Sequence, residues 1–236
     1  MASFAYGASR NKGLQEYVVQ PRTVVAKIPE AMPLDEAATL PDNFVTAFYT
    51  LFNQLGLPVP TSFPAANPPP LATTPILIYG AGSTAGSYAV QLLALAGYKR
   101  VIVTASKRHH NDLRSLGAEF TFDYNSSSLV EEIAAAVGGD GKVLFALDCI
   151  SSESTLDIVG KLVSPLGRVA LLLPIKEGTT VTGSLEQKMY YEVRQDKNPF
   201  PKTTQIVYVS TFFYQQVRRV LLLILLGTQI FARMNT

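Results

Sequence analysis

The sequence predicts an α/β protein whose centre is a doubly wound parallel sheet. Apolar segments of strand character alternate with segments of helical character between residues 76 and 172. The segment Val143–Asp148, VLFALD, is almost continuously apolar, as expected of a strand covered on both faces. A glycine-rich turn, Gly80–Gly86, joins the first of these strands to the first helix. Strands that alternate with helices at this spacing indicate right-handed crossovers and therefore a parallel sheet.

Each element has its own signal in the sequence. Apolar runs predict strands at Ile76–Tyr79, Arg100–Thr104, Phe120–Asp123, Val143–Asp148 and Arg168–Leu172. Apolar residues at helical spacing predict helices at Ser83–Ala96, Lys107–Leu116, Ser128–Val137 and Ser152–Leu162. Ser128 followed by Glu131 has the spacing of a capping box. Glycines stand where three of these helices should end, at Gly97, Gly117 and Gly138.

The segments on either side of this core are less regular. Leu14–Gln20 and Thr23–Ile28 are predicted as strands, and Pro33–Phe52 as a helix interrupted near Pro41. Residues 57–75 contain seven of the fifteen prolines, which excludes a helix or a central strand and predicts an extended surface connection. In the tail, residues 181–193 are compatible with a strand. Residues 207–231 are expected to form either a helix packed on the domain or a segment that folds poorly.

Composition and charge exclude several classes of protein. The chain has 236 residues, of which 47% are hydrophobic and 16% charged, so it can bury a sizeable core. A net charge of +2 does not indicate nucleic-acid binding. The longest apolar run, Val220–Leu226, is far shorter than a membrane span. The single cysteine, Cys149, and the adjacent His109 and His110 form no metal-binding cluster, and a reducing, cytoplasmic location is expected.

The glycine turn has the character of a phosphate cradle. Gly80 lets the backbone turn sharply after the strand, and Gly82 leaves room for the backbone to approach a pyrophosphate. The helix that follows would direct its free N–H groups and its positive dipole end at that anion. The predicted cradle residues are Gly80, Gly82, Ser83, Thr84, Ala85 and Gly86. The alternatives are a tight strand–helix turn without a ligand, and a Ser83 that only caps the helix.

The end of the second strand predicts NADP rather than NAD. An NAD site usually places a carboxylate there to bind the ribose 2′-hydroxyl. This chain has no carboxylate after the second strand until Asp112. A hydroxyl followed by cations suits the 2′-phosphate of NADP, because both can form hydrogen bonds to it; the candidates are Ser106, Lys107, Arg108 and His109. The alternative is that Lys107 and Arg108 form a solvated first turn of a helix.

Further candidates follow from the geometry of a parallel sheet, in which ligands bind outside the carboxyl ends of the strands. Tyr124 follows the third strand and is expected near the adenine or the 2′-phosphate. Ile150, after the fourth strand, and Leu172 and Leu173, at the end of the fifth, are expected on the nicotinamide side. Each of these residues has a purely structural alternative. No Ser/His/Asp or other acid–base group is recognisable, so no catalytic residue is assigned.

Four segments resemble the medium-chain dehydrogenase/reductase superfamily, namely LPDNFVTAFYTLF, LIYGAGSTAG, VTASKRHHNDLRSLGAEFTFDY and FALDCIS. The branch that they resemble most is that of zinc-free fungal trans-enoyl reductases and toxD-like proteins, over about residues 14–175. The resemblance implies a Rossmann domain that binds NADPH through Thr46, Ser83–Gly86, Ser106–His109, Tyr124, Leu172 and Leu173. The implied reaction is hydride transfer to the β-carbon of an α,β-unsaturated thioester or ketone, followed by protonation at the α-carbon.

The resemblance also implies a division of the chain. Its parts are a remnant of a GroES-like β domain (1–32), a linker helix with a Pro-rich connection (33–75), a Rossmann NADP-binding domain (76–175) and an irregular C-terminal tail (176–236). The expected partners are a small-molecule or acyl-thioester substrate presented by a polyketide synthase, and a second copy in a homo-oligomer, with neither nucleic acid nor membrane. Because most of the GroES-like domain is not recognised, the alternative is an incomplete, weakly active or inactive nucleotide-binding or interaction module.

Overall fold

The computed structural model describes residues 2–3, 16–17, 19, 25–173, 179–185, 188–193, 200 and 203–208. These residues fall in two compact units, and the boundary lies between Thr46 and Ala47. Most of the predicted strand Leu14–Gln20, and all of residues 209–231, fall outside this part of the chain. Among the described residues, no helix combines the length and the apolar character that a membrane crossing requires.

The first unit contains a short antiparallel ribbon and the start of the helix predicted at Pro33–Phe52. The ribbon consists of β1 (Ala2–Ser3) and β2 (Val25–Ala26). The helix predicted at Pro33–Phe52 is divided into several parts, as expected. In chain order these are α1 (Leu34–Thr39), the π-helical segment Leu40–Phe44, α2 (Val45–Tyr49) and the π-helical segment Thr50–Gln54. The unit boundary between Thr46 and Ala47 falls within α2. Pro41 accounts for the first interruption, because it has no N–H to donate to the helical ladder.

The second unit is built on a sheet of eight strands in the order β5-β4-β3-β6-β7-β10-β9-β8. The strands are β3 (Ile76–Tyr79), β4 (Val101–Ala105), β5 (Phe120–Asp123), β6 (Val143–Asp148), β7 (Val163–Leu171), β8 (Thr179–Leu185), β9 (Lys188–Val193) and β10 (Gln205–Tyr208). The first six strands in the sheet order are parallel, and the β10–β9 and β9–β8 pairs are antiparallel. The predicted doubly wound parallel sheet is therefore confirmed.

Four helices accompany the parallel strands, close to their predicted positions. They are α3 (Thr84–Leu95), α4 (His110–Leu116), α5 (Leu129–Val137) and α6 (Glu153–Leu162). The first turn of the second predicted helix, Lys107–His109, is a 3-10 helix instead. Every residue of β3 and β4 is buried. Side chains of β3 share one hydrophobic cluster with side chains of α5 and α6, among them Leu77, Tyr79, Ile133 and Val159.

One helix cap differs from the expectation. Ser128 precedes α5, but its hydroxyl donates to Oε1 of Glu132 at 2.6 Å, and its side chain does not cap the helix. The predicted capping box with Glu131 is therefore wrong. A reciprocal capping box is instead present at the start of α6, between Ser152 and Thr155. Positive φ angles agree with the predicted helix ends at Gly97, Gly117 and Gly138.

The strands near the tail extend the sheet beyond the five that the sequence predicts. β7 begins at Val163, before the predicted Arg168, and a register shift separates its two pairings with β6. The segment 181–193 contains parts of two strands, β8 and β9. Val207 and Tyr208 belong to β10, so the helical alternative is wrong for these two residues, which pair with β7 in parallel. Residues 57–75 contain neither helix nor strand, as predicted.

Candidate functional site

The glycine turn lies at the carboxyl edge of the sheet, next to the point where the strand order reverses between β3 and β6. Gly80 has a φ of +78°, which lets the chain leave β3 sharply. Its N–H donates to Oγ1 of Thr104 at 3.0 Å, and the N–H of Ala81 donates to the Thr104 carbonyl at 2.9 Å. Because Thr104 is fully buried in β4, these two hydrogen bonds fix the turn against the neighbouring strand.

Close packing explains two of the glycines in the turn. A Cβ on Gly86 would lie 2.7 Å from both the Cα of Ala81 and the carbonyl oxygen of Gly80. The first turn of α3 therefore sits directly against the loop. A Cβ on Gly80 would lie 2.7 Å from Cγ1 of Ile150, the residue predicted on the nicotinamide side. The structure thus brings Ile150 to the glycine turn from a distant part of the sequence.

The start of α3 presents a helix N-terminus to the same edge. Oγ of Ser83 accepts a hydrogen bond from the N–H of Gly86 at 3.1 Å, so Ser83 is the N-cap. The first turn of α3 holds no acidic residue, and the positive end of the helix dipole is therefore not offset. The Thr84 side chain is exposed, whereas Ala85 is buried and can offer a ligand only its backbone N–H.

The cationic segment after β4 reaches the glycine turn through a histidine. Ser106 precedes the 3-10 helix and makes no side-chain cap to it. Nε of Arg108 donates to Nε2 of His109 at 3.1 Å. A Cβ on Gly82 would lie 2.9 Å from Cδ2 of the same imidazole. The predicted selector and the predicted cradle are therefore in contact.

A carboxylate that the sequence did not reveal lies beside Lys107. Parallel pairing places Ala105 of β4 opposite Asp123 of β5. Nζ of Lys107 lies 3.8 Å from Oδ2 of Asp123, and the Lys107 side chain is 82% exposed. The N–H of Asn125 donates to Oδ1 of Asp123 at 3.1 Å and lowers the pKa of that carboxyl, to which the Asn125 side chain and the Lys107 charge add. The signal for Asp123 is its strand register, because it is 16 residues from Lys107 in sequence.

Large apolar side chains are exposed at the same edge. Tyr124 follows β5 and is 47% exposed, Ile150 follows β6 and is 44% exposed, and Leu173 follows β7 and is 53% exposed. Leu172 lies beside Leu173 and is partly buried. Exposed apolar surface at the carboxyl edge of a doubly wound sheet is where ligands bind in such folds.

A buried carboxylate anchors the loop after β6. Asp148 has no solvent exposure. Its Oδ1 accepts from the N–H groups of Ile150 and Ser151, each at 2.9 Å, and its Oδ2 accepts from the Thr155 hydroxyl at 2.6 Å. Burial raises the pKa of Asp148, and these three hydrogen bonds oppose that rise. The only signal for this residue in the sequence is an acidic side chain at the end of an apolar strand.

Two further expectations concern Thr46 and metal ligands. Thr46 lies in α2 as the last residue of the first unit and is partly buried. Its place beside the nicotinamide stays a prediction. Within the part of the chain that the structure describes, no group of three or more His, Cys, Asp or Glu side chains is arranged to hold a metal ion.

The chain is similar in sequence to known dehydrogenases and reductases. A family model described as zinc-binding dehydrogenase matches residues 85–186. The chain is 37% identical over 158 residues to trans-enoyl reductase himH of Aspergillus japonicus, which covers 66% of this chain and 43% of that protein. It is 33% identical over 162 residues to trans-enoyl reductase tazE of Aspergillus terreus, which covers 67% of this chain and 51% of that protein. The chain thus spans about half the length of the curated relatives it matches.

Solved structures share the fold. The CurK enoyl reductase superposes with a TM-score of 0.63 at 24% identity, over 87% of this chain and 54% of that one. The CurF ER cyclopropanase from the curacin A biosynthetic pathway superposes with a TM-score of 0.64 at 20% identity, over 92% of this chain and 57% of that one. At these identities the similarity establishes the fold, which is the Rossmann arrangement that the sequence resemblance implies.

The single cysteine gives a direct test of the packing beneath the turn. Cys149 is buried, and burial raises the pKa of its thiol to about 12, an effect to which the Asp148 charge adds. Only the thiolate attacks a disulfide reagent. At pH 8 the native chain should therefore react with such a reagent on the order of a hundredfold or more slowly than the chain unfolded in guanidinium. Equal rates in the two states would contradict the buried position of Cys149.

Proposed function

We propose that this chain, a homologue of the fungal trans-enoyl reductases over about two thirds of its length, carries the cofactor half of an NADPH-dependent oxidoreductase of the enoyl-reductase type. The family implies a nicotinamide nucleotide as cofactor. One observation carries the proposal: the glycine turn, fixed by Thr104, meets the N-terminus of α3 beside the switch point of the sheet. This geometry is suited to a pyrophosphate, because backbone N–H groups and a positive dipole end would face one anion there.

The preference for NADP over NAD rests on the segment Ser106–His109. The ion pair between Lys107 and Asp123 is long, and its lysine end is 82% exposed, so the pair contributes little free energy. Lys107 can therefore exchange Asp123 for the 2′-phosphate of the cofactor. The Ser106 side chain makes no capping hydrogen bond to the 3-10 helix that follows it. Nε of Arg108 donates to Nε2 of His109, which lies beside the glycine turn. Together they supply a hydroxyl and cations for charge-assisted hydrogen bonds to a phosphate.

The strand ends supply one wall for the reacting end of the cofactor. We assign Ile150, Leu172 and Leu173 to that wall, Tyr124 to the adenosine end, and Thr46 to the nicotinamide as the resemblance implies. When bound, NADPH would supply a hydride for the β-carbon of an α,β-unsaturated thioester or ketone. The proposed substrate is an acyl thioester presented by a polyketide synthase. We also propose that the domains of this chain end at residues 32, 75 and 175.

A second candidate function is binding without turnover. The wall residues Ile150 and Leu173 are 44% and 53% exposed, so the described side chains leave the reacting end open on one side. Hydride transfer needs the reacting atoms held about 3–3.5 Å apart with water excluded. The exposed apolar wall also favours self-association of the chain. A nucleotide-binding or interaction module is therefore the alternative to an active reductase.

Replacing Lys107 by alanine tests the choice of cofactor. Loss of a charge-assisted hydrogen bond to the 2′-phosphate costs about 1.5 kcal/mol or more, which corresponds to an approximately tenfold weaker affinity. Lys107→Ala should therefore weaken NADPH binding at least about tenfold and leave NADH binding nearly unchanged, as measured by calorimetric titration. Lys99→Ala, an exposed lysine before β4 at the opposite edge of the sheet, is the matched control and should change neither affinity. Equal losses for both nucleotides in Lys107→Ala would show that the selector lies elsewhere.

Replacing Gly82 by valine tests the cradle. The atoms nearest to the new Cβ would belong to the His109 imidazole, a side chain that can move aside, so the fold should survive. The branched side chain would occupy the space into which a pyrophosphate must come. We expect Gly82→Val to lose both NADPH and NADH binding while its circular dichroism spectrum and melting curve stay close to those of the wild type. Undiminished affinity in a folded variant would remove the cradle from the site.

A reductase assay separates the two candidate functions. The purified chain is mixed with NADPH and a crotonyl thioester, and oxidation of NADPH is followed by absorbance. Because the described wall leaves the reacting end open, we expect NADPH to bind with little or no turnover by residues 1–236 alone. Rapid turnover that disappears in a Thr46→Ala variant would instead favour the active reductase and would place Thr46 at the reacting end.

A further inference from the structure

We infer that Ser151 is a positioning residue that ties the loop after β6 to the loop after β7 and so holds the wall at the nicotinamide end of the cofactor. This inference rests on the proposed function, because it concerns the same site. It assigns to Ser151 no contact with the cofactor itself. The serine would act through Ile150 and Leu173, whose side chains form that wall.

Ser151 has a backbone conformation that serine rarely adopts. Its φ is +55°, in the left-handed region, and the residue is only 6% exposed. Such a conformation in a residue other than glycine is held by its surroundings and is found preferentially at ligand-binding sites. The N–H of Ser151 donates to Oδ1 of the buried Asp148 at 2.9 Å. The carboxylate therefore offsets the strain of this turn.

The hydroxyl of Ser151 is used twice. It donates to the carbonyl oxygen of Asp148 at 3.1 Å, and it accepts from the N–H of Leu173 at 3.2 Å. The second hydrogen bond joins residues that are 22 positions apart in sequence. Glycine would adopt the same φ without strain, yet it has no hydroxyl to bridge the two loops. The side chain, and not only the turn, therefore links the strand ends.

The hydrogen-bond network around this bridge reaches the loops after three adjacent strands. Parallel pairing places Tyr79 of β3 opposite Asp148 of β6, and Asp148 opposite Leu171 of β7. Asp148 also fixes Ile150, whose N–H donates to the same Oδ1 and whose Cγ1 would lie 2.7 Å from a Cβ on Gly80. A displacement of Leu173 would therefore be opposed by the same network that seats Ile150 against the glycine turn.

The test compares a whole cofactor with its adenosine half. NADPH reaches both ends of the site, whereas adenosine 2′,5′-bisphosphate lacks the nicotinamide and reports only on the adenosine end. Ser151→Ala and Ser151→Gly both remove the hydroxyl, and Ser151→Gly also relieves the strained φ. The matched control is Ser115→Ala, because Ser115 likewise donates its hydroxyl to the carbonyl three residues earlier but lies exposed on α4.

Both Ser151 variants should bind NADPH about three- to tenfold more weakly than the wild type, because the free energy of one hydrogen bond sets the upper limit of what a displaced wall can cost in binding. Their affinity for adenosine 2′,5′-bisphosphate should stay within about twofold, and Ser115→Ala should change neither value. A purely structural role would weaken both ligands alike or neither, and either result overturns the inference. If Ser151→Ala does not fold, the two affinities of Ser151→Gly, compared with those of the wild type, are sufficient for the test. A wild-type chain that binds neither ligand would overturn the proposed function itself.

Discussion

Two buried polar side chains on either side of β3 determine the shape of this edge of the sheet. The parallel register places Thr104 of β4 and Asp148 of β6 opposite Tyr79, the last residue of β3, and both are fully buried. A buried polar group without a partner is costly, so each must find hydrogen bonds nearby. Thr104 finds them in the glycine turn, and Asp148 finds them in the loop that carries Ile150.

These anchors explain how the loops at this edge of the sheet are held in place. Loops at the end of a sheet have few apolar contacts and are prone to open locally. Here the glycine turn is hydrogen-bonded to Thr104 of β4. The loop after β6 contacts the end of β3 through Ile150 and Gly80, and His109 lies against Gly82. The positions of these loops are therefore set by the core of the sheet. The cationic segment differs, because the Lys107 side chain is 82% exposed and its ion pair with Asp123 is long.

Some elements could be predicted from the sequence because their signals are local. The strands of the parallel core are continuous apolar runs, and the glycine turn and the helix ends require conformations that glycine adopts most easily. Ser83 can also be identified from the sequence as a helix cap, because it directly precedes the helix that it caps. Other elements depend on what lies across the sheet. Ser128 has the spacing of a capping box, yet its hydroxyl binds Glu132 instead, and the strand β10 exists because β7 offers it an edge.

The sequence by itself determined the doubly wound fold, the glycine turn after β3 and the cationic character of the segment after β4, since each depends on residues that are close neighbours along the chain. Only the tertiary structure decided that Asp123 stands beside Lys107, that His109 covers Gly82, and that Ser151 bridges to Leu173. The physical reason is register: parallel pairing brings strand ends together from segments separated by a whole crossover, and no pattern within one segment encodes which residue it will meet.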